Sequence, residues 1–291
     1  DFGPKLFREF RDWPAERKDS RWKNDDPQKL SRQYVNKVVR RIVRVFKWAA
    51  QEELVPAETW QALRTVEGLR KGRTKARETE PVKPVADADV AAVLPFLSPT
   101  VRAMVELQRL TGMRPGEVCL LRPCDVTRRI DGLWTYRPAA FKTEHHEDAE
   151  RVIFLGPQAQ SVLACWFERD PDAACFSPRE ATEWANEQKR AKRKSKVQPS
   201  QMARRKSKPQ KSPGDQYATG TYRQAIQYGC KKAGIPNWSP NQIRHTLATV
   251  VRQKFGLEGA QVALGHARAD VTQIYAERDM QRAAEIARQI G

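Results

Sequence analysis

The chain is poor in the residues that build metal centres and disulfide frameworks. It has four histidines and five cysteines in 291 residues. Cys119, Cys124, Cys165, Cys175 and Cys230 form no C-x-x-C pair and have no histidine at zinc-ligand spacing, so they are expected to be reduced core thiols and no metal is implied. His145 and His146 adjoin in TEHHEDAER, but no second ligand pair lies nearby, and both are expected in an exposed loop. Long apolar runs are also missing. Nothing approaches the roughly 18 consecutive apolar residues of a bilayer-spanning helix, and no charged-then-apolar signal segment opens the chain. A soluble, cytoplasmic protein with no membrane partner is the expectation. The third shortage is acidic: 35 Asp and Glu stand against 53 Lys and Arg, a formal charge of +18. Such an excess exceeds what solubility requires and points to a polyanionic partner.

The length suits two domains, each with its own core. In LSRQYVNKVVRRIVRVFKWAAQEEL, Val35, Val38, Val39, Ile42, Phe46 and Ala49 recur at helical steps and define a buried face. Beside it runs a second stripe, Lys37, Arg40, Arg41, Arg44 and Lys47, with almost no acids to balance it. A solvated helix face is one reading of that stripe; a surface that tracks phosphates is the other. A shorter helix is expected over about 57–69, giving a helical first domain over 1–70. KGRTKARETEPVKPV, 71–85, is charged, carries two prolines and lacks an apolar period, as a linker does.

A second domain is expected over 86–291. ADADVAAVLPFL opens it with a helix that Asp87 or Asp89 is placed to cap. GLWTYRPAAFKT and ERVIFLG are β-prone runs around a polar turn, a hairpin or three-stranded meander. Helix returns from Pro157. Within it, about 186–216 is rich in Lys, Arg, Ser, Gln and Pro with few large apolar residues, and is expected to be a mobile basic insert. The fold class is therefore mainly α with a small antiparallel β-sheet.

Three separated stretches place polar side chains at turns. LTGMRPGEV puts Arg114 between two helical patterns; SPNQIRHTLAT puts Asn241, Arg244 and His245 at a helix start; LGHARADVTQIYAERD puts His266 after a Leu-Gly turn and Tyr275 nine residues on. Singly, each is a surface arginine, a helix cap or a half-buried tyrosine. Together they resemble the tyrosine recombinases, or phage-type integrases, over nearly the whole chain. That family carries a TGxRxxE box, a hairpin lysine, an HxxRH box, an LGH box and a following tyrosine. Here these are TGMRPGE with Arg114, FKT with Lys142, NQIRH with Arg244, LGH with His266, and QIYAERD with Tyr275.

The resemblance implies site-specific cleavage and rejoining of double-stranded DNA through a 3′-phosphotyrosyl link, with no metal or cofactor. Arg114 and Arg244 would hold the non-bridging phosphate oxygens, Tyr275 would be the nucleophile and Lys142 the acid that protonates the leaving 5′-oxygen. His266 would hydrogen-bond the phosphate or handle the nucleophile's proton. The resemblance also implies a helical core-binding domain, a homotetramer in the synaptic complex, and further helices or an arm-binding domain ahead of FGPKLFREFRDW. One residue departs from the family pattern: Asn241 stands where His is usual. An amide donates hydrogen bonds but does not carry protons near neutral pH. That leaves open a catalytically silent DNA-binding relative, and a type IB topoisomerase shares similar chemistry. The C-terminal run RDMQRAAEIARQIG offers Met280, Ala283, Ala284, Ile286, Ala287 and Ile290 to one apolar face, for docking on a neighbour or on its own domain.

Overall fold

The computed structural model describes residues 2–16, 30–140, 151–196, 198 and 212–265. Lys142, His145, His146, His266, Tyr275, the C-terminal run and residues 197 and 199–211 of the basic insert lie outside them. The chain divides into two compact units, Asp1–Val82 and Lys83–Gly291.

In the first unit, α1 (Pro4–Glu16), α2 (Arg32–Gln51) and α3 (Ala57–Arg64) close around Phe7, Val35, Val39 and Leu63. The Ser31 hydroxyl accepts the Tyr34 N–H and caps α2, satisfying one of the N–H groups that a helix start leaves unpaired. Ile42, Val43 and Phe46 pack half-buried against the same core, one helical face as the apolar period requires. The third helix ends at Arg64, short of the expected Leu69, because residues 68–69 are held elsewhere. The Asn36 side chain donates to the Leu69 carbonyl at 3.0 Å and accepts the Leu69 N–H at 2.7 Å. Residues of the charged stretch after it also fold back. Arg32 N donates to Arg77 O, Arg77 N donates to Leu30 O, and Arg32 pairs with Glu78 at 2.7 Å.

The second unit contains α4 (Asp87–Val93), α5 (Pro99–Thr111), α6 (Pro115–Leu120), the strands β1 (Val126–Arg128), β2 (Trp134–Tyr136) and β3 (Ile153–Leu155), then α7 (Pro157–Leu163), α8 (Pro178–Ala191), α9 (Thr219–Ala233) and α10 (Pro240–Leu264). Its centre is α5, which packs against α6, α7, α8, α9 and α10. Buried residues such as Val101, Met104, Val105, Leu107 and Gln108 fall on several of its faces, as a central helix demands. The strands form an antiparallel meander in order β1-β2-β3, with Val126 opposite Tyr136 and Trp134 opposite Leu155. The helical run of α10 is interrupted at Gly256, whose φ of 77° is left-handed.

Several sequence expectations are corrected. Ala86, not Asp87 or Asp89, occupies the N-cap position of α4, without a side-chain cap; both acids lie in its first turn, where they face the positive end of the helix dipole. Asp87 pairs with Arg109 at 2.7 Å. Only Cys119, Cys175 and Cys230 are core thiols, while Cys124 and Cys165 are exposed. Asn186–Ala191 is helical rather than part of the insert, since Ser177 caps α8, Pro178 starts it, and Lys189 and Arg190 sit in its last turn. No helix among the described residues is long and apolar enough to cross a membrane.

Close packing of α9 on α4 depends on Gly229. A Cβ built there would lie 2.7 Å from Val93 Cγ1 and 2.8 Å from Leu97 Cδ2, both in the core. Gly229→Val is therefore expected to destabilise the second unit by about 1–3 kcal/mol through overpacking. A thermal melt with an unchanged transition would show that the interface gives way freely.

Candidate active site

The turn between α5 and α6 presents Arg114. Helix α5 ends because Gly112 takes φ of 65°, a left-handed conformation suited to glycine, and its N–H returns to Gln108 O. Space also forbids a side chain there: a Cβ would come within 2.8 Å of Leu247 and 2.9 Å of Leu264. Pro115 then starts α6, leaving Arg114 as its extended N-cap residue. Buried polar groups brace this turn. Gln108 Nε2 donates to Met113 O at 3.0 Å and Gln108 Oε1 accepts from Tyr222 Oη at 3.1 Å, while Tyr136 Oη donates to Glu117 O at 2.8 Å. Burial, with the nearby Asp125 and Glu117 charges, keeps the Tyr136 phenol protonated by pushing its pKa well up.

Arg244 reaches the same turn from α10. Ser239 is the N-cap residue and Pro240 the first helical residue; the Gln242 side chain accepts the Ser239 N–H at 2.9 Å. One turn in, the Arg244 guanidinium is 1% exposed. Its Nη1 donates to the Gly112 carbonyl, and its Nη2 donates to the Leu264 carbonyl at 2.7 Å. Gly112 is two residues before Arg114, and Leu264 two before His266, so Arg244 holds the backbone of both neighbouring boxes.

Beneath Arg114 lies a buried carboxylate. Glu117 Oε2 accepts the Arg114 backbone N–H at 2.7 Å, and Oε1 accepts Arg114 Nη1 at 2.8 Å. The same carboxylate receives Arg151 Nε at 3.1 Å and Nη2 at 3.4 Å. The side chains of Glu117 and Arg151 are 3% and 5% exposed. Burial alone would raise the Glu117 pKa; the charge and hydrogen bonds of Arg151, then those of Arg114, outweigh it and hold the carboxyl below its ordinary value. Neither Glu117 nor Arg151 was assigned a role from sequence. Glu117 lies in the TGMRPGE box, and Arg151 in the β-prone run ERVIFLG. A buried ion pair between residues 34 apart leaves no local periodicity to detect.

Asn241 and His245, one helical turn apart, touch: Asn241 Nδ2 lies 3.2 Å from His245 Nε2. Because an amide NH2 only donates, Nε2 is the acceptor. His245 is 6% exposed and packs inside the unit. Arg244 is thus tied to the turn that carries Arg114, and Arg114 shares Glu117 with Arg151, while Asn241 stands on the first turn of α10 against His245. Lys142, His266 and Tyr275 lie outside the described residues. No group of three or more His, Cys, Asp or Glu among the described residues is arranged to hold a metal ion.

In the first unit, Lys37, Arg40, Arg41, Arg44 and Lys47 are all exposed on α2, on the side away from Val35 and Val39. Arg40 Nε donates to the Asn36 carbonyl at 3.2 Å, and Lys47 Nζ sits 5.8 Å from the centre of the Trp60 ring. Among the described residues none of the five is ion-paired to a carboxylate.

Residues 89–282 match the model of the phage integrase family, more than half of the chain. Among solved structures, the fold is similar to that of the Tn1549 transposon integrase in complex with a circular intermediate DNA, with a TM-score of 0.57 and 15% identity, covering 89% of this chain and 80% of that one. It is also similar to a lambda integrase dimer bound to a COC′ core site, with a TM-score of 0.51 and 14% identity, over 85% of this chain and 74% of that one. No curated protein sequence matches the chain. The similarity of structure concerns the fold, and the family follows from the match over 89–282: the chain belongs to the phage integrase family and is a site-specific tyrosine recombinase.

Proposed function

We propose that the Arg114 and Arg244 site is a phosphodiester-transfer centre acting on double-stranded DNA. The observation that carries this assignment is the anchoring of Arg244 on Gly112, which draws two arginines from boxes 130 residues apart onto one turn. A phosphate becoming five-coordinate gains negative charge on its non-bridging oxygens, and planar guanidiniums that stay charged at every relevant pH match that charge and shape. The Tyr275 phenol oxygen attacks phosphorus and the bond to the 5′-oxygen breaks. Lys142 gives its proton to that leaving oxygen. His266 hydrogen-bonds the phosphate or takes the proton of the nucleophile. Asn241 supplies a hydrogen-bond donor next to Arg244. Reversal by a 5′-hydroxyl of another strand then completes strand transfer, so the reaction conserves the phosphodiester bond.

Two known DNA-bound integrases share the fold, and the charge of +18 supports the same partner. The α2 stripe of Lys37, Arg40, Arg41, Arg44 and Lys47 is the proposed backbone-tracking surface. Exchange between two duplexes cuts four strands, and each protomer carries one nucleophile, so the active assembly is a homotetramer on two DNA sites. The setting is DNA in the cytoplasm, with phage or mobile-element DNA as the substrate class.

Tyr275→Phe should abolish the covalent adduct on a nicked suicide substrate while DNA affinity stays within about threefold, since only the attacking oxygen is removed. An adduct formed by the Phe variant would overturn the nucleophile assignment. Affinity should also fall steeply with salt, and replacing the five stripe cations by Gln should flatten the plot of log affinity against log salt by about 0.9 per lost phosphate contact. An unchanged slope in that variant would remove α2 from the interface.

A further inference from the structure

We propose that Arg151 is a positioning residue of the phosphate centre, which neutralises buried Glu117 so that Arg114 can both be oriented by that carboxylate and present its charge to DNA. The proposal rests on the assignment of Arg114 to the phosphate. Three features of the structure carry it.

First, one carboxylate serves two guanidiniums. Glu117 receives two hydrogen bonds from Arg114 and two from Arg151, which fixes the direction of the Arg114 side chain. A fixed guanidinium is what an electrostatic centre needs, because dipoles and charges already in place need not reorganise as charge develops. Second, the charges do not balance without Arg151. Glu117 and Arg114 alone sum to zero, so an incoming phosphate would compete with the carboxylate for a neutral pair. With Arg151 the triad is +1, and the extra charge lies on the residue at the turn, since Arg114 has the 24% exposed side chain and Arg151 the 5% exposed one. Third, Arg151 also abuts the other box. A Cβ built on Gly265 would overlap Arg151 Nη1, and Gly265 follows Leu264, whose carbonyl receives Arg244. One side chain therefore touches the TGMRPGE box through Glu117 and the LGH box through Gly265.

Three full-chain variants separate this role from simple structural support: Arg151→Gln, the double variant Glu117→Gln with Arg151→Gln, and Arg114→Gln. Each is assayed for adduct formation at saturating DNA, for DNA affinity and for thermal unfolding. Arg151→Gln should cleave about a hundredfold more slowly, the scale of a misplaced reacting group, with affinity within about threefold. Its deficit should shrink as pH falls. Without Arg151 the Glu117 pKa rises, and protonating the carboxylate releases Arg114. The double variant should recover most of the rate, because no carboxylate charge remains to draw Arg114 away from the phosphate. Purely structural support would instead give a deficit independent of pH that the double variant shares or deepens, and either result overturns the proposal. Parental cleavage by Arg151→Gln overturns it as well. Should Arg151→Gln fail to fold, the double variant decides. A rate nearer the parent than Arg114→Gln on a logarithmic scale supports the proposal, and a rate nearer Arg114→Gln overturns it. Parental cleavage by Arg114→Gln would mean that the phosphate assignment itself had failed, whatever Arg151 does.

Discussion

The buried guanidinium of Arg244 is the point on which the catalytic unit turns. Removing a permanent cation from water costs several kcal/mol, and the usual remedy is a carboxylate beside it. Two of the Arg244 N–H groups donate to carbonyls, those of Gly112 and Leu264. Both belong to the C-terminal ends of helices, α5 and α10, where backbone oxygens lack intrahelical donors and the helix dipole is negative. The arginine meets a need that both helix ends already have, because their backbone oxygens carry fractional negative charge toward its cation. Packing follows from the same contact. With α5 and α10 tied at their ends, Leu247 and Leu264 close over Gly112 so tightly that a single methyl there would collide with both.

Arg114 is stabilised differently, and the contrast explains the rest of the centre. It lies at the edge of the turn, partly exposed, and its direction comes from a full carboxylate on the first turn of a short helix. A full negative charge orients well but competes with phosphate. A second buried cation resolves that conflict by sharing the carboxylate, so two arginines and one glutamate act as a unit. Local rigidity comes from neutral groups. Gln108 and Tyr136 satisfy the carbonyls of Met113 and Glu117, and Tyr222 donates to Gln108 Oε1, all through buried hydrogen bonds that add direction without adding charge.

Residues whose signal is periodic or local were legible in the sequence. The α2 core face, the β2 and β3 segments and the turn at TGMRPGE could be read because apolar spacing and glycine or proline punctuation are printed in neighbouring positions, whereas β1 (Val126–Arg128) lies outside the β-prone runs. Arg114, Asn241 and Arg244 stand out through boxes of fixed spacing, and the structure ties Arg244 to Gly112, two residues before Arg114. Arg151 was not found. Its importance is a contact with Glu117, and nothing in ERVIFLG distinguishes a buried arginine from a polar flank. The end of α3 was misjudged for a related reason: Asn36 takes both hydrogen-bonding groups of Leu69, a tertiary claim on backbone that propensity continued as helix. Composition misled at α8, where a run rich in Lys and Arg looked unable to order, yet its first residues extend a capped helix with cations at its negative end.

Asn241 has a physical explanation in its neighbour. Residues 241 and 245 share a helix face, and His245 is almost wholly buried. The amide at 241 donates to His245 Nε2, so it fixes the imidazole plane and leaves that nitrogen without a proton. A second imidazole at 241 could do the same only in one tautomer. Once protonated it would place a positive charge one turn from Arg244, beside a ring with little access to water. An amide keeps its N–H donors at every pH. The substitution therefore trades a titratable group for a constant donor, which fits a centre whose other cations, Arg114, Arg151 and Arg244, also hold one charge state across the physiological range.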